Sequence, residues 1–221
     1  MKVLDKGFIN LIDVTDDGDK AIVQAARVSF GQTPKDDKRD RILIDYLLEN
    51  GHETPFEHVT FKFHVKCPLF TARQWMRHRW CSFNEISARY TEIENEWYVP
   101  DKKRELHKTN TQGSEESNIT DNQHQMFSTI VDDMSLAAYN NYQGLLATGT
   151  ARELARIVLP QNMYTQFYWT INARSLMNFM KLRLHSHAQL EIRKYAIAIQ
   201  IFFEEELPWT ASAFKEYILN V

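Results

Sequence analysis

Cysteine is nearly absent from this sequence: Cys67 and Cys81 are the only two in 221 residues. Two thiols cannot build a disulfide framework or a cysteine zinc site, and both are expected to stay reduced in a cytoplasm. Long apolar runs are missing as well. No stretch approaches the ~20 residues of a membrane-crossing helix, and MKVLDKGF has no secretion-signal core. Neither a GxGxxG turn nor a lysine-bearing phosphate loop occurs, so any dinucleotide must be held by side chains. Basic charge is not in excess either. The net charge of -3 offers no global attraction to nucleic acid or anionic membrane, so positive charge acts only locally. No repeat is visible, and the length suits a single domain over 1–221.

The positive charge that is present gathers in RHRWCSFNEISARY, Arg77 to Tyr90. Arg77, Arg79 and Arg89 lie in it, with Arg73 just outside. Guanidinium groups this dense repel one another, and removing them from water is costly unless anions complete the site. A planar guanidinium suits phosphate because it donates two parallel hydrogen bonds. The arginines alternate with Trp75, Met76, Trp80 and Phe83, residues seldom left in water. The expectation is a partly buried site for a phosphorylated ligand with a flat ring.

Around it, Gly7 to Thr15, Val59 to Val65 and Tyr164 to Ile171 read as strands, by alternation or by aromatic and branched content. Ala21 to Phe30 reads as a helix with Ile22, Val23, Ala26 and Val28 inward. Asp40 to Asn50 reads as another, with Ile42, Leu43, Tyr46 and Leu47 on one face, stopped by Gly51. Pro68 fits the first turn of a helix running to about Arg79; Gln74, Arg77 and His78 then share a face, and the arginine-rich segment continues as a loop. Glu96 to Val99 reads as a short strand. A polar surface loop is expected over 101–125. From Met126 a helix carries the stripe Phe127, Ile130, Val131, Met134, Ala138 and Leu145, ending at Gly149. Thr150 with Glu153, and Ser186 with Gln189, have capping-box spacing, the second opening a helix to about Glu206 with His187 in its first turn. Asn172 is positioned to cap NARSLMNFMKL. Thr210 is expected to start a last short helix after Pro208. Irregularly mixed helices and strands favour an α+β class with a largely antiparallel sheet. In HETPFEH, two histidines and two carboxylates crowd a loop without helical or hairpin ligand spacing, so no metal is expected.

RHRxxSxNExSxRY is matched at Arg77, His78, Arg79, Ser82, Asn84, Glu85, Ser87, Arg89 and Tyr90. This pattern resembles the signature of flavin-dependent thymidylate synthases. The likeness extends to GHETPFEH, ARIVLP, NARSLMNF and SHAQLEI, and so runs from about Ala25 to Pro208. It implies methylation of dUMP to dTMP with methylenetetrahydrofolate as carbon donor, FAD as hydride carrier and NADPH as reductant. It also implies a homotetramer with shared active sites. Carried over by position, Thr54, Glu57, Arg77, His78, Arg79, Asn172, Arg174, Asn178 and His187 resemble the family's FAD contacts. Gln74, Glu85, Ser87, Ala88, Arg89, Arg156 and Arg183 match its nucleotide pocket. Arg183 is the candidate for polarising uracil, and His52 resembles a histidine of the folate-side steps. Ser87 lies where a nucleophile has been considered; a binding role is favoured, since no base is demonstrably paired with it.

Two alternatives stand beside this reading. One is a flavin-dependent enzyme acting on another pyrimidine nucleotide, or leaving a hydroxymethyl group. The other is an RNA-binding module, which also interleaves arginines with aromatics, although the negative net charge argues against it.

Overall fold

Alternation in VTFKFHV and YTQFYWTI builds the centre of the molecule. The computed structural model describes residues 1–31, 33, 35–106, 114–115 and 119–220. Its strands are β1 (Lys2–Val3), β2 (Gly7–Val14), β3 (Thr60–Pro68), β4 (Cys81–Glu85), the short pair β5 (Glu105–Leu106) and β6 (Ser114–Glu115), and β7 (Tyr164–Asn172). One sheet runs in the order β1-β2-β3-β7-β4, with every pairing antiparallel. The register from Thr60↔Asn172 to Pro68↔Tyr164 places Phe61, Phe63 and Val65 on one face with Phe167, Trp169 and Ile171. All six are buried, as a period of two requires when only one face meets the core.

The helices are α1 (Asp19–Arg27), α2 (Asp37–Glu49), α3 (Leu69–Trp75), α4 (Asp121–Ala147), α5 (Arg152–Ala155), α6 (Ala173–Arg183), α7 (Leu190–Glu206) and α8 (Pro208–Phe214). Helices and an antiparallel sheet sharing one hydrophobic core make the molecule α+β. Trp75 of α3 meets Trp169, Phe179 and Tyr195 with ring centroids 5.2 to 5.5 Å apart. This aromatic knot locks α3, α6 and α7 onto the sheet. Arg27 and Asp40 form a buried ion pair, 2.5 Å from Nη2 to Oδ1, that ties α1 to α2. Asp19, at the start of α1, caps α8: its carboxylate accepts from the backbone of Trp209 at 2.7 Å and Thr210 at 3.0 Å, and from the Thr210 hydroxyl at 2.6 Å.

Several expectations are corrected. The first helix ends at Arg27 in a 3-10 turn, Val28–Phe30, which leaves Val28 exposed. α2 starts at Asp37 because Asp36 caps it by accepting from Arg39 N. Its inward face is Ile44, Leu47 and Leu48 rather than Ile42 and Tyr46, since Asp40 must face Arg27. Pro68 closes β3 instead of opening a helix, and α3 stops at Trp75. The arginine-rich segment therefore begins beyond the helix and runs into strand β4, not a loop. Around Glu96 to Val99 a single bridge, Trp97↔Met163, replaces a strand. Residues 121–125 of the expected polar loop belong to α4, capped by Thr120 and Gln123; 107–113 and 116–118 lie outside the described residues. Neither capping box forms: Ala151 and Gln189 occupy the cap positions of α5 and α7, with no side-chain cap bond. His187 thus precedes α7. α8 starts at Pro208, with Thr210 inside it.

Candidate active site

The signature segment is bent by its own backbone bonds. His78 N donates to Trp75 O at 3.0 Å as α3 ends. β4 then runs along β7 from Cys81↔Ile171 to Glu85↔Phe167. Beyond it, Tyr90 N and Thr91 N both donate to Ser87 O at 3.0 Å, and Arg89 N donates to Ser87 Oγ at 3.3 Å. No histidine or lysine hydrogen-bonds Ser87 among the described residues.

At the α3 end, Gln74, His78 and Arg183 converge. Arg183 Nε donates to His78 Nε2 at 3.1 Å, and Arg183 Nη2 donates to the backbone oxygen of Gln74 at 3.3 Å. His78 is buried, edge-on to Phe179 at 4.8 Å. Burial, and secondarily the Arg183 charge, lower its pKa from 6.5 to about 4. The imidazole is therefore neutral at physiological pH and accepts at Nε2, carrying its proton on Nδ1. Burial also lowers the pKa of Arg183. Arg183 and His187 line an open cleft of about 970 Å³ with Lys181, Leu184 and Ile218.

Lys181 and Ile218 also line a second cleft, of about 490 Å³, with Glu57, Asn172, Arg174, Asn178 and Trp80. Here Asn172 Oδ1 caps α6 by accepting from Ser175 N at 2.8 Å. Arg174 is held by Glu53 Oε2 at 2.9 Å and Glu57 Oε1 at 2.5 Å. With Arg174 paired to these two carboxylates, the Lys181 ammonium and the amides of Asn172 and Asn178 stand around an apolar wall of Met177 and Phe214, a set that suits a phosphorylated ligand with a flat ring.

At the other end of β4, Glu85, Ala88 and Arg156 line a third cleft, of about 180 Å³. Glu85 Oε1 accepts from Thr165 Oγ1 at 2.6 Å. Arg89 lies 3.5 Å from the Glu153 carboxylate, and Arg156 Nε donates to Glu153 O at 3.3 Å. The residues expected to bind nucleotide are thus gathered in two groups, Gln74 with Arg183 and Glu85 to Arg89 with Arg156. The expected flavin residues Glu57, Asn172, Arg174 and Asn178 share one cleft. His52, Thr54, Arg77 and Arg79 are exposed. His52 sits edge-on to Tyr46 at 5.7 Å, and neither Arg77 nor Arg79 has an ion-pair partner among the described residues.

The aromatic interleaving is corrected in part. Trp75 is fully buried, but Trp80 is 85% exposed and Tyr90 75%. Within one chain, the far half of the arginine-rich segment is therefore a surface. Sequence reasoning missed Glu53, which shares Arg174 with Glu57, and Glu153, which joins Arg89 to Arg156. Glu53 was visible only as one charge in HETPFEH. Glu153 carried a capping signal that the fold does not use.

Comparison with known proteins identifies the family. The family model described as thymidylate synthase complementing protein matches residues 10–209. A flavin-dependent thymidylate synthase of Thermosipho africanus is 51% identical over 219 residues, covering 98% of this chain and 94% of the relative. One from Thermus thermophilus is 48% identical over 218 residues, covering 99% and 79%. Among solved structures, a UMP/dUMP methylase, PolB from Streptomyces cacaoi, bound with 5-Br dUMP, superposes with a TM-score of 0.88 at 37% identity, covering 98% of both chains. A signature filled at every fixed position, a match over nearly the whole length and a shared fold lead to one assignment: the chain belongs to the thymidylate synthase complementing protein family, that of the flavin-dependent thymidylate synthases.

Proposed function

We infer that this chain, as one domain over 1–221, converts dUMP to dTMP, taking its carbon from methylenetetrahydrofolate, with FAD as hydride carrier and NADPH as reductant. The observation that carries the reading is the Gln74–His78–Arg183 cluster, whose Arg183 lines a cleft that shares Lys181 and Ile218 with the cleft bearing Asn172, Arg174 and Asn178. Carbon-5 of uracil is a poor nucleophile. A guanidinium placed at a carbonyl oxygen stabilises the electron-rich ring that attacks the methylene donor. Arg183 can do this because two of its N–H groups are spent on fixed acceptors, which orients the rest, and neutral His78 adds no competing charge. Arg174, Lys181 and Asn178 are positioned to hold the flavin nucleotide, with Arg77 and Arg79 supplying further cations. Bound there, FAD supplies hydride for the transferred carbon. Ser87, Ala88, Arg89 and Arg156 hold the phosphate, and Glu85 lines the same cleft as Ala88 and Arg156. His52 stands at the folate side.

We further infer a homotetramer with shared active sites. The two groups of nucleotide-binding residues lie at opposite ends of β4. At about 3.3 Å per residue, five strand residues separate them by roughly 16 Å, so a partner's Ser87–Arg89 turn is needed to complete the Gln74–Arg183 half. Uncovered apolar side chains support an interface: Met134 is 66% exposed and Ile157 76%.

The test is release of tritium from dUMP labelled at carbon-5, together with dTMP formation, in the presence of reduced FAD and methylenetetrahydrofolate. Absence of both overturns the reading. Mixing Arg183→Ala with Arg89→Ala subunits tests the sharing: regained activity is expected, and none is expected from a site built within one chain. Since the solved relative is described as a UMP/dUMP methylase, UMP belongs in the same assay as a second acceptor.

A further inference from the structure

Two rows of side chains on the inner face of the sheet change character at the same end. On β7 the row runs Ile171, Trp169, Phe167, Thr165; on β4 it runs Cys81, Phe83, Glu85. A period of two puts each row on one face, and each is hydrophobic until its last member. There Thr165 Oγ1 donates to Glu85 Oε1 at 2.6 Å. Both residues line the cleft of about 180 Å³ that also holds Ala88 and Arg156.

Packing alone gives no reason for the hydroxyl. Thr165 is 5% exposed and stands opposite the fully buried Cys67 of β3. Valine fills the same space, suits a strand as well and would bury no polar atom there. Among the described residues the hydroxyl has one hydrogen bond, and it goes to Glu85. Glu85 is exposed, on the strand at the end of the sheet. A glutamate so placed has rotamer freedom to lose when a ligand fixes it, and that loss weakens binding unless the protein has already made it. Threonine is stiff at χ1, and β7 is paired on both sides, with β3 and β4. The Thr165 hydroxyl is therefore a fixed anchor for a long side chain.

We propose that Thr165 is a positioning residue for nucleotide binding, whose hydroxyl holds one oxygen of Glu85 and so presets the other to accept from the nucleotide. The inference rests on the reading of Glu85 as a nucleotide contact. Glu85 Oε2 has no hydrogen-bond partner among the described residues. A carboxylate only accepts, so Glu85 serves a hydroxyl or N–H of the ligand and leaves the phosphate to Arg89 and Arg156. The hydroxyl of Thr165 touches no ligand in this arrangement; it acts through Glu85.

The test titrates the flavin-loaded protein with dUMP by calorimetry, in the parent, Thr165→Val, Thr165→Ser, Glu85→Ala and the double variant Thr165→Val/Glu85→Ala. Thr165→Val should weaken dUMP about fivefold, the worth of one ordinary hydrogen bond, while FAD titrates as in the parent. Thr165→Ser restores the hydroxyl and should recover most of that loss. Once Glu85 is alanine, the valine should cost dUMP nothing further, because the two residues act as one unit. Thr165→Ala takes the place of valine in the same cycle where Thr165→Val fails to fold. An equal loss from Thr165→Val in both backgrounds is what a merely structural role gives, and it overturns the proposal. Parent-like dUMP affinity in Thr165→Val overturns it as well. An unchanged dUMP affinity in Glu85→Ala instead removes Glu85 from the nucleotide pocket, and the underlying reading fails with it.

Discussion

Arg183 Nε donates to His78 Nε2 at 3.1 Å, so an arginine expected to act on substrate is held by a histidine expected to contact flavin. A cation resting on a neutral imidazole keeps its charge undivided for a ligand, whereas a carboxylate partner would have neutralised it. The pair also joins the end of α6 to the segment after α3.

Arg183→Ala should leave the fold and bound FAD in place while turnover falls ~10²–10³-fold, the usual cost of one aimed donor at developing charge. Flavin absorbance and single-turnover dTMP formation check it. A loss smaller than about threefold removes Arg183 from the chemistry.

His78 should titrate near 4 when its ring protons are followed by NMR. Because its folded-state pKa lies below the ordinary 6.5, the folded protein resists the proton. The stability this represents is full above pH 6.5 and is lost as pH falls through about 4. In Arg183→Ala the midpoint should rise yet stay below 6.5, since burial is the larger cause. A parent midpoint at 6.5 contradicts the buried pair.

Asp19→Ala should destabilise the protein by about 2 kcal/mol or more. It removes the cap of α8 and leaves a buried Thr210 hydroxyl and two backbone N–H groups without their acceptor. Asp19→Asn keeps one oxygen acceptor and should cost less. Urea midpoints measure both, and equal values for the two variants count against the cap.

Cys67→Ala combined with Cys81→Ser should keep FAD binding and most tritium release. Cys67 is fully buried, and burial pushes its thiol well up from the usual range. Burial also raises the Cys81 thiol, which donates to His78 O at 2.9 Å. Neither is poised as a thiolate nucleophile. Complete loss of dTMP formation in a folded, yellow double variant would overturn a mechanism without a covalent enzyme adduct.

Arg77→Ala and Arg79→Ala should each weaken flavin retention, since each removes a cationic contact from the proposed FAD site. Identical FAD titrations for parent and variants assign the two arginines another job.

By itself the sequence determined the elements whose signals are local and strong. Period-two alternation located β2 and β3, and aromatic and branched content located most of β7. Asn172 before NARSLMNF located the capped start of α6, and the signature from Arg77 to Tyr90 carried the family. Tertiary structure decided which face of each element turned inward, because that depends on partners far along the chain. Asp40 rotates α2 toward Arg27, and Ile42 is left outside. The partnership of β7 with both β3 and β4 draws the segment after Trp80 into a strand, where its own residues suggested a loop. Ser186 and Gln189 have the spacing of a capping box, yet Gln189 is drawn instead into hydrogen bonds with Gln74 and Glu191. Trp80, Met134 and Ile157 are apolar by sequence and uncovered in the single chain. Burial is a property of assembled surfaces, and a residue's own chemistry can state only its preference for it.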